Sequence, residues 1–138
     1  MADQPGQKIR VVLRRIQLLE SKEPFFKARG EYSFRARVSV EGGSASETIL
    51  PEKGYYSLSA EPGKNIVPLQ LTLYEGQPEG SLTVELNATE LDKMSANDNF
   101  TPYRKTFSGA PDSWVGSYGP AGDEDLGDWR IWYLIERA

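Results

Sequence analysis

The stretch Ser81-Leu82-Thr83-Val84-Glu85-Leu86-Asn87-Ala88 alternates apolar and polar side chains with a period of two. Successive side chains of a strand point to opposite faces, so Leu82, Val84, Leu86 and Ala88 read as one core-facing row. The same pattern recurs on both sides of it. Tyr32, Phe34, Ala36, Val38 and Val40 alternate with Ser33, Arg35, Arg37 and Ser39, and Gly42-Gly43 stops that run. Val67, Leu69, Leu71 and Leu73 form a third row, and Trp129, Ile131, Tyr133 and Ile135 a fourth. In the first run, Ile9, Val11 and Leu13 sit at odd positions but Ile16 and Leu18 at even ones. A bulge at Arg14-Arg15, adding one residue, keeps both halves facing the core. Weaker strand pieces lie at 46–50 and 54–60, broken by Pro51 and Gly54, and a short one spans 103–107.

Turns are marked by Glu41-Gly42-Gly43-Ser44, Pro62-Gly63-Lys64-Asn65 and Gly76-Gln77-Pro78-Glu79-Gly80. No segment carries a helical stripe. The pattern predicts an all-β chain, a single antiparallel β-sandwich of seven or eight strands. Residues 1–7 read as a flexible tail, 8–138 as one domain, and 108–128 as a long Gly/Pro/Asp loop.

Composition narrows the chemistry. The 138 residues include neither cysteine nor histidine. That excludes a disulfide framework, a thiolate zinc site, a cysteine nucleophile and the imidazole base of a catalytic triad. Any metal must be held by oxygen atoms, which favours calcium or magnesium. With no nucleophile elbow, no Ser-x-x-Lys signature and no phosphate-cradling glycine loop, the chain reads as a binding module and not an enzyme. The net charge of −4 is unevenly spread: residues 1–40 hold nine Lys/Arg against four Asp/Glu, and residues 41–138 seven against sixteen. The absence of an apolar run of membrane-spanning length or of a signal-like start predicts a cytoplasmic or peripheral membrane protein.

The acids that follow the 81–88 strand are the most specific constellation. Glu90, Asp92 and Asp98 stand at a carboxylate-x-carboxylate-x5-carboxylate spacing, with Asn97 beside the last. Calcium takes six to eight hard oxygen ligands, and residues two apart leaving a strand extend to the same side. Carboxylates this close repel, so they hold a cation or spread into water. A second acidic cluster, Asp123-Glu124-Asp125 with Asp128, reads as a solvated loop.

From these residues outward the sequence resembles the C2 domain, the calcium- and phospholipid-binding β-sandwich. That family carries an L-x-V-x-V-x-D-x-D-x5-D-x-I/F-G run. This chain reads Leu82-x-Val84-x-Leu86-x-Ala88-x-Glu90-x-Asp92-x5-Asp98-x-Phe100. Ile66–Leu73 looks like the preceding strand of the family, and Arg29-Gly30-Glu31-Tyr32-Ser33-Phe34 like its S-D-P-Y-V-x-V segment. The resemblance covers roughly 8–107, with 129–136 as a closing strand. Glu90 and Glu31 stand where the family prefers Asp, and Thr101 replaces its glycine. The resemblance, to a divergent bacterial-type member, implies weak calcium binding at acidic loops, with Glu31 and Glu23 joining from the facing loop. It further implies association with an anionic membrane or cell-surface polymer, and a link to biofilm behaviour. For the two acidic loops to share one end of the sandwich, 46–60 must be one interrupted strand, or one strand plus an excursion, since two separate full strands would send them to opposite ends.

Arg10 and Arg14 share a face of the first strand, and Arg35 and Arg37 the outward face of the second. If these strands are neighbours, the four form a basic patch for lipid phosphates. Phe25-Phe26, flanked by Lys22 and Lys27, reads as an insertion tip for the same surface. Nucleic acid is excluded as a partner by the negative net charge and the lack of aromatics interleaved with the basic residues. Two alternatives remain: a carbohydrate-binding sandwich with Trp114, Tyr118 and Trp132 as a stacking platform, or a metal-independent protein-interaction module using its edge strands.

Overall fold

The computed structural model describes residues 7–19, 30–59, 61–91 and 100–138. Nine strands occur among them: β1 (Ile9–Leu18), β2 (Gly30–Val40), β3 (Ala45–Leu50), β4 (Tyr56–Leu58), β5 (Ile66–Gly76), β6 (Leu82–Glu90), β7 (Tyr103–Phe107), β8 (Gly116–Tyr118) and β9 (Trp129–Arg137). They form two sheets, ordered β5-β1-β9-β8 and β3-β2-β6-β7, with β4 also on β2. Every pairing is antiparallel. The chain is all-β, as the alternation predicts, and the rows read from sequence supply the core: Tyr32, Phe34, Leu82, Leu86, Trp129, Ile131 and Tyr133 are all buried. No helix among the described residues is long and apolar enough to cross a membrane.

The phase flip in β1 is resolved by the expected bulge. Leu13 pairs with Tyr133 and Arg15 with Trp132, so Arg14 is the extra residue. Leu13 and Ile16, on either side of it, are both fully buried. Without the extra residue one half of β1 would turn its apolar row to water.

β3 and β4 lie end to end along the same edge of β2. Phe34 pairs with Leu50 and Ser39 with Ala45, whereas Gly30 pairs with Leu58 and Tyr32 with Tyr56. They are one strand broken at residues 51–55, where Pro51 has no N–H to give to the ladder. Counting this pair once makes eight strands, the upper expected number.

The segment 108–128 differs from a plain loop. It contains a 3-10 turn (Pro111–Trp114) and β8, which adds to the β9 edge through Gly116–Ile135 and Tyr118–Tyr133 pairs. A three-residue strand is too short for period-two alternation to reveal. Of the tail, residues 1–6 lie outside the described residues.

Candidate functional site

The interrupted strand puts the ends of several segments together. Tyr32, near the start of β2, pairs with Glu90 at the end of β6. The Leu91 amide donates to the Glu31 carbonyl at 2.7 Å. Leu18 N–H donates to Asn65 O at 2.8 Å, Leu19 N–H to Asp128 O at 2.9 Å, and Phe100 N–H to Ala88 O at 3.2 Å. The described residues on either side of 20–29 and of 92–99 therefore all lie at one end of the sandwich. Glu23, Phe25, Phe26, Asp92, Asn97 and Asp98 lie within those stretches and outside the described residues.

Glu90 continues the inward row of Leu82, Val84, Leu86 and Ala88, and its side chain is buried with them. Its Oε1 accepts the Glu31 backbone N–H at 3.3 Å. Glu31 alternates with the buried Gly30 and Tyr32 and so lies on the outward row of β2. What meets Glu90 is thus the Glu31 backbone, while the two side chains leave opposite faces of the sheet. Among the described residues no three carboxylates stand close enough to hold a metal ion. Leu91, the next residue, is 44% exposed at this same end. Beside it a groove of about 510 Å³ is lined by Arg35, Ile49, Asn87, Thr89, Leu91 and Phe100, among others.

The second acidic cluster is a solvated loop only in part: Asp123 and Asp125 are exposed, whereas Glu124 and Asp128 are buried. Glu124 is 1% exposed. Its Oε2 accepts the Tyr103 hydroxyl at 2.5 Å and lies 3.7 Å from Lys105 Nζ. Tyr103 has one hydroxyl proton, so Tyr133, whose oxygen is 2.6 Å away, donates to Tyr103. Burial pushes both tyrosines well above their ordinary range, and for Tyr103 the bond to Glu124 adds to it. Asp128 Oδ2 accepts both the Thr101 amide, at 2.9 Å, and its hydroxyl, at 3.2 Å. Asp125 accepts Gly127 N–H and Arg130 Nε. Glu124 and Asp128 are internal hydrogen-bond acceptors that hold the segment onto the sandwich. Sequence reasoning sees the charges but not the donors to the two buried acids, Thr101 and Tyr103, which lie more than twenty positions away.

The basic residues do not make one patch. Arg10 and Arg14 lie on β1 in one sheet, Arg35 and Arg37 on β2 in the other, so they occupy opposite outer faces. Arg10 is held between Glu75 and Glu136, each at 2.8 Å, which strengthens its hold on its proton. Arg35 faces Glu47 at 3.6 Å. Period two tells which face of a strand is wet but not which sheet the strand joins.

The three-ring platform also comes apart. Trp114 is buried, packed on Phe107, and donates its indole N–H to Ser108 O at 2.9 Å. Tyr118 stacks on Tyr133 with ring centroids 5.1 Å apart and donates to Trp114 O. Only Trp132 remains on the outer face, with the Arg15 guanidinium 5.2 Å above its ring. No protein-family model matches this chain, and no curated protein matches it.

Proposed function

We propose that the chain is a non-enzymatic, C2-like binding module that works through its acidic end, where weak calcium binding promotes association with an anionic membrane or cell-surface polymer. The observation that carries this reading is the Tyr32–Glu90 pairing with the Leu91-to-Glu31 bond, which brings the flanks of 20–29 and 92–99 side by side. Glu90 then stands at the foot of a stretch that contains Asp92, Asn97 and Asp98. In this reading these four supply the oxygen ligands, and Glu31 and Glu23 add charge from the facing segment. A cation offsets the repulsion among the carboxylates and lets the acidic end approach an anionic surface. Exposed Leu91, with Arg35 in the adjoining groove, offers apolar and cationic contacts to that surface.

The test is an NMR titration of the full chain with calcium, followed by vesicles containing phosphatidylserine. The expected result is calcium-dependent shifts at Glu90, Leu91, Phe100 and residues 92–99 at about 10⁻³ M metal, reversed by EDTA. Vesicle binding should follow calcium and be lost in a D92N/D98N double variant. Absence of shifts at that concentration overturns the calcium part, and vesicle binding that ignores EDTA overturns the coupling.

A further inference from the structure

The β1 bulge has a chemical effect on the opposite outer face. By inserting Arg14 between Leu13 and Arg15, it leaves two successive arginines exposed while Leu13 and Ile16 stay buried. A regular strand would have turned one of the two inward. Their situations differ from that of Arg10, four residues earlier on the same strand. Arg10 is taken up by Glu75 and Glu136, whereas Arg14 makes no ion pair among the described residues. Arg15 lies over Trp132, a cation–π contact that orders the guanidinium without neutralising it.

Between these groups runs a groove of about 440 Å³, lined by Arg14, Arg15, Leu69, Ser117, Trp132 and Leu134, among others. Among the described residues no carboxylate lines it. A second depression of about 220 Å³ shares Arg14 and Leu134 and continues toward Arg10 and Glu136. The trough is elongated, cationic at one point, and floored by an indole and aliphatic side chains. Two guanidiniums with no counter-charge among the described residues call for an oxyanion, which they can grip by paired N–H donors. The apolar lining of Pro68, Leu69 and Leu134 beside the Arg15-capped Trp132 suits a ring with an apolar face and a polar rim, and the extension past Leu134 suits a chain and not a lone ion. A bilayer is a poorer occupant: the exposed large hydrophobics among the described residues, Ile49, Tyr55 and Leu91, all lie elsewhere.

We infer that this trough is a binding site for an acidic oligosaccharide. A uronate carboxylate sits between Arg14 and Arg15, with the pyranose along Trp132 and Leu134. The site is separate from the acidic end and needs no metal, so it stands whether or not calcium binds there.

The experiment is a titration of the full chain in EDTA with a short oligogalacturonate, following the Trp132 indole and the Leu134 and Ser117 amides by NMR. Saturable shifts confined to these residues are expected. Binding should weaken about tenfold or more with a neutral oligosaccharide of equal length and with Arg14→Gln. Arg37→Gln, on the other sheet, should bind as the parent does, and the spectra of both variants report their folding. Lack of saturation, or equal binding of the neutral sugar, overturns the inference. So does inorganic phosphate displacing the oligosaccharide at equal concentration, which would mean a simple anion site. Phosphatidylserine vesicles that bind through Arg14 while the oligogalacturonate does not would give the trough to a membrane instead.

Discussion

Two acidic regions look alike in one dimension and differ in three. Residues 90–98 and 123–128 each gather carboxylates within a few positions, in an acidic part of the chain. At 123–128 the protein brings its own donors: Tyr103 for Glu124, Thr101 for Asp128, Arg130 for Asp125, and Lys105 near both Asp123 and Glu124. Glu124 and Asp128 hold the segment against Thr101 and Tyr103, where the chain enters β7. At the other region, Glu90 closes the inward row of β6 and takes a backbone amide, and the acids beyond it continue into 92–99. Charge density alone does not separate a structural acid from one available to a ligand; the source of the donors does. A buried carboxylate that has lost its water must be given equivalent partners, and the fold supplies them at 124.

Removing the donors' acceptor should break this contrast most severely. Glu124→Ala leaves Tyr103 and Lys105 facing an empty site, and is expected to cost about 2–4 kcal/mol of stability by urea denaturation. A negligible loss would return 123–128 to the solvated class. Tyr103→Phe removes one donor to Glu124 and the acceptor of Tyr133, and should cost about 1–2 kcal/mol. The same cluster predicts the alkaline behaviour. Below about pH 10 Tyr103 and Tyr133 keep their protons folded or unfolded, and above it the unfolded chain sheds them first because burial raises the folded values. Stability should therefore fall as pH rises beyond about 10, and the ultraviolet signal of tyrosinate from these two should appear only with unfolding. The smallest effect is expected at the other region, where D92N/D98N should change stability in EDTA by less than about 0.5 kcal/mol. A loss as large as that of Glu124→Ala would show that both regions are structural and erase the distinction.

Much of this architecture was legible in the sequence. The alternation in 32–40, 82–88 and 129–135 marks core rows that are buried in the structure, and the phase change at Arg14-Arg15 marks the bulge. The break at Pro51, together with the need for both acidic stretches to share an end, anticipates the β3–β4 pair. What escaped is everything that depends on partners distant in the chain. The separation of β1 and β2 into different sheets divides the arginines, and packing onto Phe107 and Tyr133 buries Trp114 and half-buries Tyr118. Glu124 carries no local sign of burial, since the Tyr103 hydroxyl that receives it lies 21 positions away.

The interruption between β3 and β4 also bears on how this molecule behaves in a crowd. β3 and β5 are edge strands of the two sheets, and an unbroken edge is a template on which a second copy can add its own strand. Both edges carry a proline, at 51 where β3 stops and at 68 within β5, and β3 further presents Glu47 to solvent with Glu52 and Lys53 just beyond. Pro68 has no N–H to offer an incoming strand, Pro51 cuts β3 short, and the charges make an approach unfavourable. The break that aligns the two ends of the sandwich thereby also guards its open side against strand-to-strand aggregation.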